Sequence, residues 1–73
     1  MASLRVGVIG VGRMGATHAR NLAGRVPGAR LAGLADVDEA RLRELAGELG
    51  DVPVFRDYRD LLAAPGVDAV VLA

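Results

Sequence analysis

The sequence predicts an α/β fold in which strands and helices alternate and the strands form a parallel sheet. Four short apolar runs, three of them rich in β-branched residues, are typical of buried parallel strands. The segments between them carry apolar residues at three- and four-residue steps, the spacing of an amphipathic helix. Glycine, proline or aspartate stands at most of the boundaries, where these residues begin or end such elements.

The first strand is predicted at residues 5–9, which read Arg-Val-Gly-Val-Ile. The helix after it shows a narrow stripe of small and apolar residues, formed by Gly15, Ala19, Leu22 and Val26. We expect Pro27 and Gly28 to end this helix, because neither residue favours its continuation.

The second strand is predicted at residues 30–35 and ends at Asp36. Asp38 is of the residue type that caps helix N-termini, and Gly50 stands where a glycine commonly ends a helix. The apolar stripe of the helix between them consists of Leu42, Leu45, Ala46 and Leu49. These signals together predict a second amphipathic helix.

The third strand is predicted at residues 52–55, and its Pro53 suits an edge position because proline cannot donate a ladder hydrogen bond. Asp57 is expected to cap a brief helix around Leu61, and residues 67–73 predict a fourth strand. Successive β-α-β units imply right-handed crossovers and one half of a doubly wound fold, with strand order 3-2-1-4. An apolar fourth strand with no helix to cover it suggests that residues 1–73 are the N-terminal part of a larger protein.

Composition excludes several classes of function. Nine basic and nine acidic residues balance, so the formal net charge of zero does not favour nucleic acid or an anionic membrane as a partner. With no cysteine, disulfides and thiolate metal sites are excluded, and no His/Asp/Glu cluster has metal-ligand spacing. No apolar run approaches the ~20 residues of a membrane span or the pattern of a signal peptide. We therefore expect a cytoplasmic protein.

A Gly-x-Gly-x-x-Gly motif joins the first predicted strand to the first helix, and such motifs bind dinucleotides. Gly10 permits the tight turn, Gly12 lets a pyrophosphate approach the backbone, and Gly15 lets the helix lie close to the sheet. The N–H groups from Gly12 through Arg13 and Met14 are expected to point at the phosphates. The motif thus predicts a Rossmann-type cofactor site.

Asp36 ends the next strand about twenty residues after the motif, where an acidic residue binds the adenosine ribose hydroxyls. Its charge would repel the 2′-phosphate of NADP. Neither Val37 nor Asp38 supplies a cation to offset that repulsion. The sequence therefore favours NAD over NADP, with Val37 beside the ribose.

Beyond the shared glycine turn, the chain resembles the N-terminal part of the Gfo/Idh/MocA oxidoreductases. The matching residues are 4–15 with Gly-Arg-Met-Gly at 12–15, His18, Leu22, Ala-Asp-Val-Asp at 35–38, Tyr-Arg-Asp-Leu-Leu at 58–62, and Val-Asp-Ala-Val-Val-Leu-Ala at 67–73. The resemblance implies hydride transfer between NAD(P) and a hydroxyl of a sugar or cyclitol, in a protein that forms homo-oligomers. It also implies that Leu72 and Ala73 line the path toward the nicotinamide.

The resemblance also implies a catalytic lysine in a later Glu-Lys-Pro segment, and this chain has no lysine. Hydride transfer needs a group that takes the hydroxyl proton. His18 is the one neutral-pH candidate here, but on the first helix it is expected to pack or to make a hydrogen bond rather than to act in catalysis. We therefore expect the chain alone to be inactive. Two other functions stay open: a stand-alone NAD-binding regulatory module, and a fragment of a methyltransferase that binds S-adenosylmethionine.

Overall fold

The structure, a computed structural model, describes residues 4–73. In chain order its elements are β1 (Leu4–Ile9), α1 (Arg13–Leu22), β2 (Ala29–Ala35), α2 (Glu39–Glu48), β3 (Val54–Phe55), α3 (Tyr58–Ala63) and β4 (Ala69–Leu72). This alternation of strands and helices is the one that the sequence predicts.

The strands form one sheet with the order β3-β2-β1-β4, and every pair of neighbours is parallel. The predicted order 3-2-1-4 and the edge position of the third strand are therefore confirmed. In a doubly wound sheet, ligands bind at the carboxyl ends of the strands, near the point where the strand order reverses. Here the order reverses between β1 and β4, so that point lies at the carboxyl ends of these two strands.

The main core fills the space between the sheet and the pair of helices α1 and α2. Its buried members are Val8, Val11, Ala19, Leu31, Leu34, Leu42, Leu45 and Ala46. Three residues of the predicted α2 stripe are thus buried, and Leu49 packs against the cluster. These contacts hold the start of α1 against the sheet.

The opposite face of the sheet receives α3 through a single fully buried leucine. Leu61 lies over Gly7 of β1 and Gly33 of β2, which are paired in register. A Cβ on Gly33 would lie 2.8 Å from Leu61 Cδ1, and one on Gly7 would lie 3.0 Å from it. The two glycines therefore make the space that the leucine fills.

A bulge in β2 changes the register between β1 and β2. Val6 pairs with Leu31 but Gly7 pairs with Gly33, so Ala32 has no partner on β1. One extra residue reverses the alternation of side chains from that point on. Leu31 and Leu34 therefore both face α1 and α2, although they stand three positions apart.

The predicted helix caps are confirmed. Asp38 accepts a hydrogen bond from Arg41 N at 3.1 Å, and Asp57 accepts one from Arg59 N at 2.9 Å. Gly50 follows the end of α2 with a φ of 89°, a left-handed conformation that glycine adopts without strain.

Three predicted elements are shorter in the structure, and β1 and β2 each begin one residue before the predicted start. The first helix ends at Leu22, and Val26 is exposed. The helix stops early because Gly24 has a low helix propensity and because Val26, which precedes Pro27, disfavours the helical conformation. The third strand comprises only Val54–Phe55, since Pro53 cannot donate to the ladder. The fourth comprises Ala69–Leu72, although Asp68 N and Ala73 N still donate to β1 carbonyls.

Candidate functional site

The glycine turn between β1 and α1 is held by close contacts on two sides. Gly10 has a φ of 94°, and its N–H donates to the carbonyl of Ala35 at 2.8 Å. A Cβ on Gly10 would lie 2.8 Å from the carbonyl oxygen of Ala73, and one on Gly15 would overlap the Gly10 carbonyl oxygen. Both positions therefore require glycine, as the motif predicts for a tight turn and a closely packed helix.

Gly12 differs from the other two glycines of the motif because the space beside it is open. It is the N-cap of α1, with φ −65° and ψ −167°, and a Cβ built there would meet no atom within 4 Å. Alanine would therefore fit the protein but would occupy the space above the backbone. This is the arrangement that a ligand in contact with the backbone at Gly12 requires.

The N-terminus of α1 can bind an anion. No side chain of the described chain caps this helix, and no acidic residue lies in its first turn. Helix-start N–H groups have no partner within the helix, and the helix dipole adds positive potential around them. Arg13 and Met14, both exposed, follow Gly12 at this end, so the residues predicted to hold a pyrophosphate lie together.

Asp36 lies at the end of β2 and binds the glycine turn directly. Its Oδ2 accepts a hydrogen bond from Val11 N at 2.7 Å, and its Oδ1 accepts one from Asp38 N at 2.9 Å. These two N–H donors, that of Val11 above all, hold the pKa of the carboxyl below its usual value. Each carboxylate oxygen can accept a further hydrogen bond, so two hydroxyls could still bind.

A cleft of about 210 Å³ opens beside Asp36, at the carboxyl ends of β1 and β2. It is lined by Ile9, Gly10, Ala35, Asp36, Val37, Arg56 and Tyr58. Val37, a predicted site residue, is 84% exposed in the free protein. Arg56 and Tyr58 were not predicted, although they directly follow β3, whose carboxyl end shares this edge of the sheet.

Leu72 and Ala73, the two residues expected near the nicotinamide, lie at the carboxyl end of β4. Ala73 N donates to the carbonyl of Ile9 at 3.0 Å, so β4 runs beside the glycine turn. Leu72 is 78% exposed. His18, the candidate proton acceptor, is half-buried on α1 and does not line the cleft.

A larger groove of about 350 Å³ lies between α1 and α2. Arg20 and Glu48 join the two helices here through paired hydrogen bonds of 2.6 and 3.1 Å. Glu44 also lines the groove. Arg13 and Arg41 line it as well, so the charged lining of this groove is mixed.

Two further properties of residues 4–73 bear on function. No group of three or more histidine, aspartate and glutamate side chains could hold a metal ion among them. No helix in this range has the length and apolar character needed to cross a membrane.

Comparison with known proteins gives concordant matches. The model of an oxidoreductase family with an NAD-binding Rossmann fold, Gfo/Idh/MocA, matches residues 4–73. Inositol 2-dehydrogenase 1 of Saccharopolyspora erythraea is 51% identical over 72 residues, which cover 97% of this chain and 21% of that protein. The scyllo-inositol 2-dehydrogenase (NAD(+)) of Bacillus subtilis is 41% identical over 69 residues, 94% of this chain and 20% of its own.

A solved structure extends the comparison to the fold. Scyllo-inositol dehydrogenase from Lactobacillus casei, crystallised with NAD(H) and scyllo-inositol, superposes with a TM-score of 0.90 at 34% identity. The match covers 97% of this chain and 21% of that one. The chain therefore spans about a fifth of the length of the relatives it matches.

Proposed function

Because the chain belongs to the Gfo/Idh/MocA oxidoreductase family, we propose that it is the NAD-binding part of a dehydrogenase acting on a sugar or cyclitol hydroxyl. One observation carries the proposal: the open backbone at Gly12 adjoins the uncapped N-terminus of α1, and Asp36 lies beside it. Bound NAD supplies a hydride acceptor. The residues of this chain bind and orient it.

The pyrophosphate binds over Gly12, whose missing side chain leaves room for it. Backbone N–H groups of Gly12, Arg13 and Met14 donate to its oxygens, and the helix dipole stabilises its charge. A Cβ on Gly12 would fill this space, which is the reason that the motif needs glycine there.

The adenosine half binds in the cleft beside Asp36. The carboxylate accepts hydrogen bonds from the ribose hydroxyls while its bonds to Val11 N and Asp38 N keep it in place. Val37 and Tyr58 offer apolar surface to the adenine. The nicotinamide half extends past Leu72 and Ala73.

NAD is the preferred cofactor. Two backbone N–H donors lower the pKa of Asp36, so its carboxylate is ionised throughout the neutral range. A 2′-phosphate in that position would place two anions in contact. The preference follows from Asp36, since no cation stands at Val37 or Asp38 and Arg56, which lines the same cleft, pairs with Glu39 at 3.9 Å.

Calorimetric titration of the purified protein tests the proposal. NAD should bind, while NADP and S-adenosylmethionine should bind at least about tenfold more weakly. Asp36→Asn should weaken NAD binding and reduce the difference in affinity between NAD and NADP. Asp60→Asn, on exposed α3, removes the same charge and should change neither. Absence of NAD binding, or tighter binding of S-adenosylmethionine, would refute the assignment.

The substrate class needs a separate assay. Because residues 1–73 carry no lysine and are expected to be inactive alone, the assay uses the full-length protein of which the proposal makes them a part. That protein is mixed with NAD and with myo-inositol, scyllo-inositol or glucose, and nicotinamide absorbance is followed over time. Reduction of NAD that depends on a cyclitol supports the dehydrogenase, whereas binding of NAD by the full-length protein without turnover of any of these substrates favours a binding module instead.

A further inference from the structure

Val11, in the middle of the glycine turn, has both of its backbone polar groups held by side chains from other elements. Its N–H donates to Asp36 Oδ2 at 2.7 Å, and its carbonyl accepts a hydrogen bond from Arg41 Nη1 at 3.3 Å. Val11 is only 2% exposed, so both contacts are partly shielded from water. Helix α2, which carries Arg41, is thus connected directly to the turn.

The contact with Arg41 determines the direction of the next N–H group. The carbonyl of Val11 and the N–H of Gly12 belong to one peptide unit, which is trans. In a planar trans peptide these two bonds point in opposite directions. A guanidinium that holds the carbonyl on the α2 side therefore holds the Gly12 N–H toward the opposite side.

Without that contact, little else would resist rotation of this peptide. Gly12 has no side chain, and nothing lies within 4 Å of the position that a Cβ would take. Glycine also tolerates both signs of φ, so a flipped peptide would meet little steric cost there. A flip would replace an N–H donor by a carbonyl oxygen, which repels phosphate.

We infer that Arg41 is a positioning residue for pyrophosphate binding: its hydrogen bond to the Val11 carbonyl keeps the Gly12 N–H directed at the phosphate position. The inference rests on the proposed function, because it assumes that the pyrophosphate binds over Gly12. Arg41 acts through the backbone and touches no phosphate itself.

The test compares Arg41→Gln with Arg43→Gln, which removes the same charge two positions along α2. Arg43 pairs with Glu39 at 2.7 Å and does not contact the turn. Binding of NAD, ADP and adenosine is measured for each protein. Because Arg41→Gln loses a hydrogen bond from a charged donor, it should bind NAD and ADP about tenfold more weakly. Adenosine, which has no pyrophosphate, should bind equally well.

The amide resonance of Gly12 in the ligand-free protein gives the second measurement. It should shift or broaden in Arg41→Gln and stay unchanged in Arg43→Gln. Arg41→Lys, which keeps the charge and an N–H donor group, should restore part of both the NAD affinity and the position of the resonance. If Arg41→Gln folds poorly, Arg41→Lys still allows both measurements.

Three results would overturn the inference. One is equal NAD affinity in Arg41→Gln and Arg43→Gln. Another is equal weakening of adenosine and NAD, which would place the effect at the ribose. The third is weakened NAD binding with an unmoved Gly12 resonance, the result expected of direct contact between guanidinium and phosphate. Failure of the unsubstituted protein to bind NAD would instead refute the proposed function.

Discussion

Replacing three glycines by alanine, one at a time, should give three different results, because the structure surrounds each glycine differently. Gly47 lies in α2 with nothing within 4 Å of an added Cβ. Alanine there should stabilise the fold by about 0.5–1 kcal/mol through helix propensity. NAD binding should be unchanged, so this variant is the matched control for the other two.

Gly15→Ala places its methyl group on the carbonyl oxygen of Gly10, and backbone cannot move aside as a side chain can. Overpacking of this kind costs about 3 kcal/mol, and the gain in helix propensity returns about 1 kcal/mol. A net loss of about 2 kcal/mol is expected. Helix α1 must also shift away from the turn, so NAD binding should be lost as well.

Gly12→Ala should separate binding from stability. Its φ of −65° is available to alanine, and the added methyl group meets open space. Stability should change by less than about 1 kcal/mol, while NAD affinity should fall at least about tenfold. Chemical denaturation and calorimetry measure the two quantities. If Gly12→Ala binds NAD as tightly as the unsubstituted protein, the pyrophosphate position is wrong.

Three further predictions concern stability. Leu61→Ala should lower the free energy of unfolding by about 2–5 kcal/mol in a denaturant titration, and Leu62→Ala, at an exposed position, by less than about 1 kcal/mol. Equal losses would contradict the packing of Leu61 against the sheet. Asp38→Ala should cost about 1 kcal/mol through the lost cap, and an unchanged denaturation midpoint would contradict it. Hydrogen bonds lower the pKa of Asp36, and that of Asp57 to about 2. Stability should therefore hold down to about pH 5 and fall below about pH 4; a rise there would refute this sign.

The features predicted correctly are those that short segments of sequence specify. The turn between β1 and α1 at the glycine motif, the place of Asp36 after β2, and the caps each follow from local signals, and the strand order follows from handed crossovers. The cofactor-binding roles of the glycines and of Asp36 stay predictions. The helix that ends at Leu22 was predicted too long because the apolar spacing continues to Val26. The flanking glycine and proline outweigh that spacing, since they act on the backbone directly.

The features missed are those that depend on contacts between distant segments. The bond from Arg41 to the Val11 carbonyl joins residues thirty positions apart, and no local pattern marks it. Arg56 and Tyr58 reach the cleft because β3 lies next to β2. Once the strand order is known, their position just after a strand end is a signal that could have found them.

The unpaired residue Ala32 has a consequence for ligand chemistry well beyond its own place in β2. It reverses the side-chain phase of the strand, so Gly33 meets Leu61 while Leu34 and Asp36 face the helix pair. In an unbulged strand of the same sequence, the carboxylate would emerge on the α3 side of the sheet. One extra residue in the backbone of β2, whatever its side chain, thus sets the direction from which the Asp36 carboxylate reaches Val11 N.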